Sequence, residues 1–173
     1  MSATNATPPR GLEPTMLRPI RWRIFDPREA GGFARLSFAL LRVSMGVVFV
    51  WFGSLKFVPD LSPAQDLAAR TMEKLSLGLL GESVSMPMLA MWECLIGIGL
   101  ITGLYLRATL GLLLVQMAGT FTPLVLFPGE TWDRFPVVPT MEGQYILKNL
   151  VLVSAGLVIG AVAVSSRFGR AER

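Results

Sequence analysis

Apolar residues collect into four long runs, over residues 36–57, 88–106, 109–127 and 145–164, with polar stretches between them. Each run holds about 20 residues, and at ~1.5 Å per residue such a helix crosses a hydrocarbon core ~30 Å thick. This predicts four membrane-spanning helices. Only residues 105–108, Arg107 among them, separate the second and third runs, so that pair is predicted to form an antiparallel helical hairpin. The fourth run is expected to stop at Ser165, Ser166 and Arg167.

The connection after the first run has its own pattern. Ser62, Pro63 and Gln65 read as N-cap, first-turn proline and capping-box partner. Leu67, Thr71, Leu75 and Leu79 recur every four residues, and Gly81 suits a stop. Together they predict a short amphipathic helix that lies on the membrane surface or caps the bundle. The connection over residues 128–143 is rich in proline and aromatics, with Trp132 and Phe135 placed for the membrane interface. The fold class is all-α, an integral membrane four-helix bundle with a short outer amphipathic helix. Residues 1–35 are expected to be a disordered Arg/Pro-rich cytoplasmic tail, 36–166 the transmembrane domain and 167–173 a cytoplasmic basic tail.

Composition agrees with this pattern: 52% of the 173 residues are hydrophobic and the mean hydropathy is +0.54, too apolar for an ordinary soluble domain of this length. The net charge of +4 and pI of 9.8 raise nucleic acid as a partner. The basic residues, however, flank the runs and form no patch, so no nucleic-acid partner is expected. Arg10, Arg18, Arg21, Arg23, Arg28 and Arg35 precede the first run, Arg107 lies between the second and third, and Arg167, Arg170 and Arg173 close the chain. The two other connections hold only Arg70, Lys74 and Arg134. Such asymmetry predicts that both termini are cytoplasmic.

The sequence has one cysteine, Cys94, and no histidine. A disulfide centre within one chain, haem held by paired histidines, and His-based metal or Cys-His chemistry are therefore not expected. Chemistry falls to the ionisable groups inside the runs, because a charge facing hydrocarbon costs several kcal/mol unless it turns inward or finds a partner. Lys56, Glu93 and Lys148 are expected in one layer in the outer half of the bundle. Thr120, Thr122 and Pro123 end the third run at similar depth, and Glu142 and Asn149 are close to Lys148 in sequence. Plainer readings stand beside these. Lys56 and Lys148 can snorkel to headgroups, and Glu93 with a lysine can be an ion pair that only joins helices. Arg42 can snorkel to the cytoplasmic interface, and Gln116 can be an interhelical hydrogen bond. Gly97, Gly99, Gly103, Gly156 and Gly160 permit close helix approach. Phe49, Trp51, Phe52, Phe57 and Trp92 either face lipid or flank a quinone ring. Two lysines to one glutamate leave a positive surplus, unless Glu142 folds in, which suits an anion or a quinone carbonyl.

Four segments together resemble the DoxX-like membrane proteins, most of all their YkgB-like branch. They are the stretch from Arg42 through Gly53-Ser-Leu-Lys56-Phe, Glu93 with the glycine-rich half-helix to Gly103, the Thr120-Phe-Thr-Pro-Leu-Val end of the third run, and Glu142-Gly-Gln-Tyr-Ile-Leu-Lys148-Asn149. The resemblance covers about residues 36–165. It implies a four-helix protein of the bacterial inner membrane. DoxX-like relatives include a membrane subunit of a thiosulfate:quinone oxidoreductase and components of oxidoreductase complexes linked to thiol and oxidative stress, and YkgB-like relatives are linked to reactive chlorine resistance. The matching positions are Arg42, Lys56, Glu93, Glu142, Lys148 and Asn149.

The expected function is that of a quinone-linked oxidoreductase subunit, or a partner in redox and oxidative-stress metabolism. Glu93, Lys56 and Lys148 are the candidate catalytic residues. Arg42, Trp92, Gln116, Thr122, Glu142 and Asn149 are the candidate substrate- or quinone-binding residues. Quinone is the cofactor implied; haem, metal and disulfide centres are not. With no redox centre encoded, electrons would come from the substrate or from a redox partner protein, and a homodimer is a further candidate partner. The alternatives are a non-enzymatic assembly or stress-response protein and a small-solute transporter.

Overall fold

The computed structural model describes residues 31–171 apart from residues 60 and 63, with side chains up to residue 163. Residues 1–30 of the expected tail and Pro63 of the expected helix start lie outside the described residues. Among the described residues four helices are long and apolar enough to cross a membrane. These are α1 (Gly32–Leu55), α3 (Glu82–Thr102), α4 (Leu106–Phe121) continued by α5 (Pro123–Leu126), and the first part of α7 (Met141–Ala171).

The expected boundaries shift in several places, each for a local reason. α1 begins at Gly32, so residues 32–35 belong to the helix and not to the tail. α3 starts six residues before the expected 88, because Ser85 and Met86 are already buried against the bundle and Pro87 sits early in the helix. Its missing N–H would have gone to the Ser83 carbonyl, so one bond near the start of the helix is given up. α3 ends at Thr102, followed by Gly103 at φ +73. The turn is residues 103–105, and Arg107 lies in the first turn of α4 and not in the connection. α7 runs on past Ser165, Ser166 and Arg167, none of which breaks a helix.

The amphipathic helix exists but is shorter than expected. α2 (Gln65–Leu75) follows Ala64, which stands in the left-handed region and has no side-chain oxygen to cap the helix. It stops where Gly78 donates to the Glu73 carbonyl (2.8 Å) and Leu77 to that of Lys74 (3.3 Å), a Schellman closure with Leu77 itself at φ +56. Gly81 therefore caps α3 instead of ending α2. Leu67 and Thr71 are buried as the pattern predicts, but Leu79 falls beyond the helix and is 85% exposed.

The second connection holds α6 (Pro128–Thr131) and a small antiparallel hairpin of β1 (Trp132–Arg134) with β2 (Val138–Pro139), which the sequence did not suggest. Proline normally argues against a strand, but Pro139 stands in a two-residue edge strand where a missing N–H is tolerated. Trp132 and Phe135 meet edge to face at 5.5 Å, and the Trp132 indole donates to the Leu124 carbonyl. Thr140 closes the connection, its hydroxyl accepting from the Gly143 amide as the N-cap of α7.

Packing centres on α3, which lies between α1 and α4, while α7 packs on α4 and only lightly on α1. Met45, Phe49, Ile96, Leu100, Leu110, Leu113, Met117, Ala155 and Ile159 form the core. The α1–α3 approach is the closest. A Cβ on Gly97 would stand 2.6 Å from the Gly46 carbonyl oxygen and 2.7 Å from the Val50 nitrogen. Hydroxyls on lipid-facing surfaces turn back to their own helix: Ser44 donates to Leu41, Ser54 to Trp51, Thr102 to Ile98 and Ser154 to Leu150. Hydrocarbon offers them nothing better.

Candidate functional site

Gly53 brings the site together. A Cβ there would stand 2.9 Å from the Glu93 Cβ and 3.1 Å from the Cys94 nitrogen, so only a bare backbone lets α1 lie this close to α3 at this level. One turn further along α1, Lys56 then reaches across the contact, and its Nζ lies 2.7 Å from Glu93 Oε2. The same ammonium donates to the Phe52 carbonyl at 3.3 Å. From α4, Gln116 Nε2 donates to the other carboxylate oxygen, Oε1, at 3.0 Å. One carboxylate thus ties three membrane-spanning helices. The Lys56 and Glu93 side chains are only 13% and 12% exposed, and Gln116 is buried.

The remaining candidates take other places. Trp92, next to Glu93, packs on the core and donates its indole N–H to the Leu112 carbonyl at 3.3 Å, a second link from α3 to α4. Thr122 donates to Gly119 at 2.7 Å and Thr120 to Gln116 at 2.9 Å, so both hydroxyls are used by their own helix. Arg42 is at the opposite end of the bundle. Its guanidinium lies against Gly103 at the C-terminus of α3, where a Cβ would collide with Nη1, and its charge complements the helix dipole. Lys148 does not reach Glu93. It is exposed on α7, with its ammonium 5.0 Å from the Tyr145 ring centre. Glu142 is exposed and Asn149 half-buried on the same helix. The structure therefore brings Lys56, Glu93 and Gln116 together and leaves Lys148, Glu142 and Arg42 outside that cluster.

Sequence reasoning missed a second ionic feature, at the end of the bundle nearest Lys56. Arg70 of α2 grips Glu130 of α6 through two bonds of 2.8 and 2.6 Å. The Arg70 guanidinium and the Lys74 ammonium both lie over the Phe127 ring, at 5.4 and 4.9 Å. A surface depression of about 500 Å³ opens beside them, lined by Glu73, Leu77 and Gly78 as well. Another, of about 370 Å³, lies on the lipid side of α1 against Ile101. Neither touches the Lys56–Glu93 cluster. Nothing in the spacing of residues 70 and 130 signals their pairing; it depends on how the two connections fold over the bundle.

The hydrogen bonds from Arg70 hold the Glu130 carboxyl below the usual carboxylate range, and Glu130 raises Arg70 in turn. Both side chains are about half exposed to water, so the gain is small and salt-sensitive. Because the folded value of Glu130 is lowered, its stabilisation is complete above the ordinary glutamate value of 4.5 and is lost as pH falls through the lowered value. Amide exchange of residues 65–75 is expected to quicken as pH drops below 4.5 at low salt, beyond the intrinsic change, and to stay flat around neutrality. Arg70→Gln removes that step. An α2 whose protection ignores both the acid range and the substitution would show that the clasp holds nothing.

A family model described as DoxX matches residues 37–127, more than half of the chain. The matched region includes Lys56, Glu93 and Gln116 and ends before α7, so Glu142, Lys148 and Asn149 lie beyond it. No curated protein and no solved structure gives a match.

Proposed function

This chain belongs to the DoxX family of membrane proteins, and on that footing we propose that it is a quinone-linked subunit of a redox system in a bacterial inner membrane, with both termini cytoplasmic. The observation that carries this reading is the carboxylate–ammonium pair held inside the bundle with an amide on its second oxygen. A bound quinone supplies a two-electron acceptor that needs two protons when reduced. The residues present fit one. Lys56 has three N–H bonds, of which one goes to Glu93 and one to Phe52, leaving one for a carbonyl oxygen. In low dielectric that ammonium would stabilise negative charge on the oxygen of a bound quinone. Glu93, bonded to the same ammonium, is placed to pass a proton. Gln116 fixes the carboxylate so that it faces Lys56. Electrons would have to come from a reductant oxidised at the site or from a partner subunit.

Quinone retained after purification in mild detergent tests this. The wild type is expected to hold quinone in stoichiometric amount and Lys56→Met to lose it, with the helical circular dichroism of the variant as a check on folding. Equal quinone in the two would remove the proposal.

A second reading has its own support. Among the described residues no buried side-chain nitrogen or oxygen lacks a hydrogen-bond partner, which suits a cluster that only fastens helices in a non-enzymatic assembly protein. That reading expects function to survive when Lys56 and Glu93 are both replaced by apolar residues.

A further inference from the structure

Lys148 poses a problem that the Lys56–Glu93 cluster does not solve. It stands seven residues into α7, about 10 Å along the helix, within the apolar span. Among the described residues the ion pairs are Lys56–Glu93 and Arg70–Glu130, so no described carboxylate neutralises Lys148. Helical phase makes its exposure informative. Ala155 and Val162 follow Lys148 at seven-residue intervals on one stripe, and both are buried, at 9% and 8% exposure. Lys148 on that stripe is exposed, as is Tyr145 at 57%. The face that is covered further along α7 is uncovered toward its start.

We propose that this uncovered face binds the phosphate of a membrane phospholipid. Side chains on a helix lean toward its N-terminus, so the Lys148 ammonium is carried toward the headgroup level, and it lies over the Tyr145 ring on that course. Gln144, Tyr145 and Lys148, at positions i, i+1 and i+4, are all exposed and offer an amide, a phenol and an ammonium on one side of the helix. Two neutral donors beside one cation match a phosphate diester, the anion that a leaflet carries at the headgroup level. The exposed apolar residues Leu147 and Val151 beside them suit the acyl chains of the same molecule. Charge complementarity therefore selects a lipid, and the site does not rest on the quinone reading.

Native mass spectrometry of the full chain, released from nanodiscs of phosphatidylglycerol, tests the proposal. The wild type is expected to retain phospholipid, and Lys148→Met to hold it at least about tenfold more weakly, the loss of one charge-assisted bond to phosphate. Lys148→Arg should keep the lipid, Tyr145→Leu should weaken it, and Lys74→Met should behave as wild type. Quinone content is read in the same spectra, so loss of phospholipid without loss of quinone separates this site from the Lys56 cluster. Equal lipid retention by wild type, Lys148→Met and Tyr145→Leu would overturn the proposal. Full displacement of the lipid by inorganic phosphate would overturn it too, in favour of a free-anion site. A second protein chain released by Lys148→Met in place of lipid would overturn it in favour of a partner helix.

Discussion

Glu93→Leu and Lys56→Met, each alone, are expected to destabilise the protein by about 3–5 kcal/mol, whereas the two together should cost far less. The single changes leave half of a desolvated pair behind. Without Glu93, the Lys56 ammonium keeps only the Phe52 carbonyl, and the Gln116 amide loses its acceptor. Without Lys56, a carboxylate at 12% exposure keeps only the Gln116 amide. The double variant removes both charges and fills the space with apolar atoms of similar volume, which buried pairs often tolerate. Gln116→Leu should cost less than either single change, since hydrogen bonds between membrane helices average about 0.6 kcal/mol. Thermal unfolding in detergent of the four variants checks the order. Additive losses in the double variant would show that Lys56 and Glu93 do not act as a pair.

Gly97→Ala should destabilise strongly, and Gly111→Ala not at all. The added methyl on Gly97 meets backbone, the Gly46 oxygen and the Val50 nitrogen, and backbone in two packed helices cannot step aside as a side chain would. Overpacking of this kind costs about 1–3 kcal/mol or more. It also lifts α3 from α1 about one turn from the Gly53 contact that lets Lys56 reach Glu93, so the polar cluster is expected to weaken with the packing. At Gly111, on the exposed face of α4, a Cβ has nothing within 4 Å. There alanine brings only its better helix propensity, worth up to about 1 kcal/mol. The two melting temperatures should move in opposite directions, and a Gly97→Ala protein as stable as wild type would mean that the helices are further apart than this geometry states.

The four spans were legible because length and apolarity decide them directly, and the Arg-flanked ends followed from the same pattern. The boundaries were less so. Pro87 and Ser83 look like a connection in sequence, yet Ser85 and Met86 are buried inside a helix because α1 and α2 pack over that end of α3. The α2 stop was misplaced because Leu77 adopts the left-handed conformation that glycine would ordinarily take, which no pattern rule anticipates. Lys56, Glu93 and Gln116 could each be singled out as polar groups inside apolar runs. Their meeting follows from Gly53, and the Gly-x-x-Lys spacing is the signal that could have paired Lys56 with Glu93 in advance. Lys148 looked equivalent to Lys56 in sequence. The difference between them is one of partners: Gly53 lets α1 lie against α3 so that Lys56 meets Glu93, while Lys148 is exposed on α7 with no described carboxylate beside it.

The most direct test of the functional claim is a quinone-binding titration of the charge-free Lys56→Met/Glu93→Leu protein, since that variant is expected to stay folded and to lack only the two groups that the claim depends on. A short-tailed quinone added to wild type and variant in nanodiscs, followed by quenching of tryptophan emission, should give saturable binding to the wild type and none to the folded variant. Equal binding by both would contradict the account and leave Lys56, Glu93 and Gln116 as a fastening between helices.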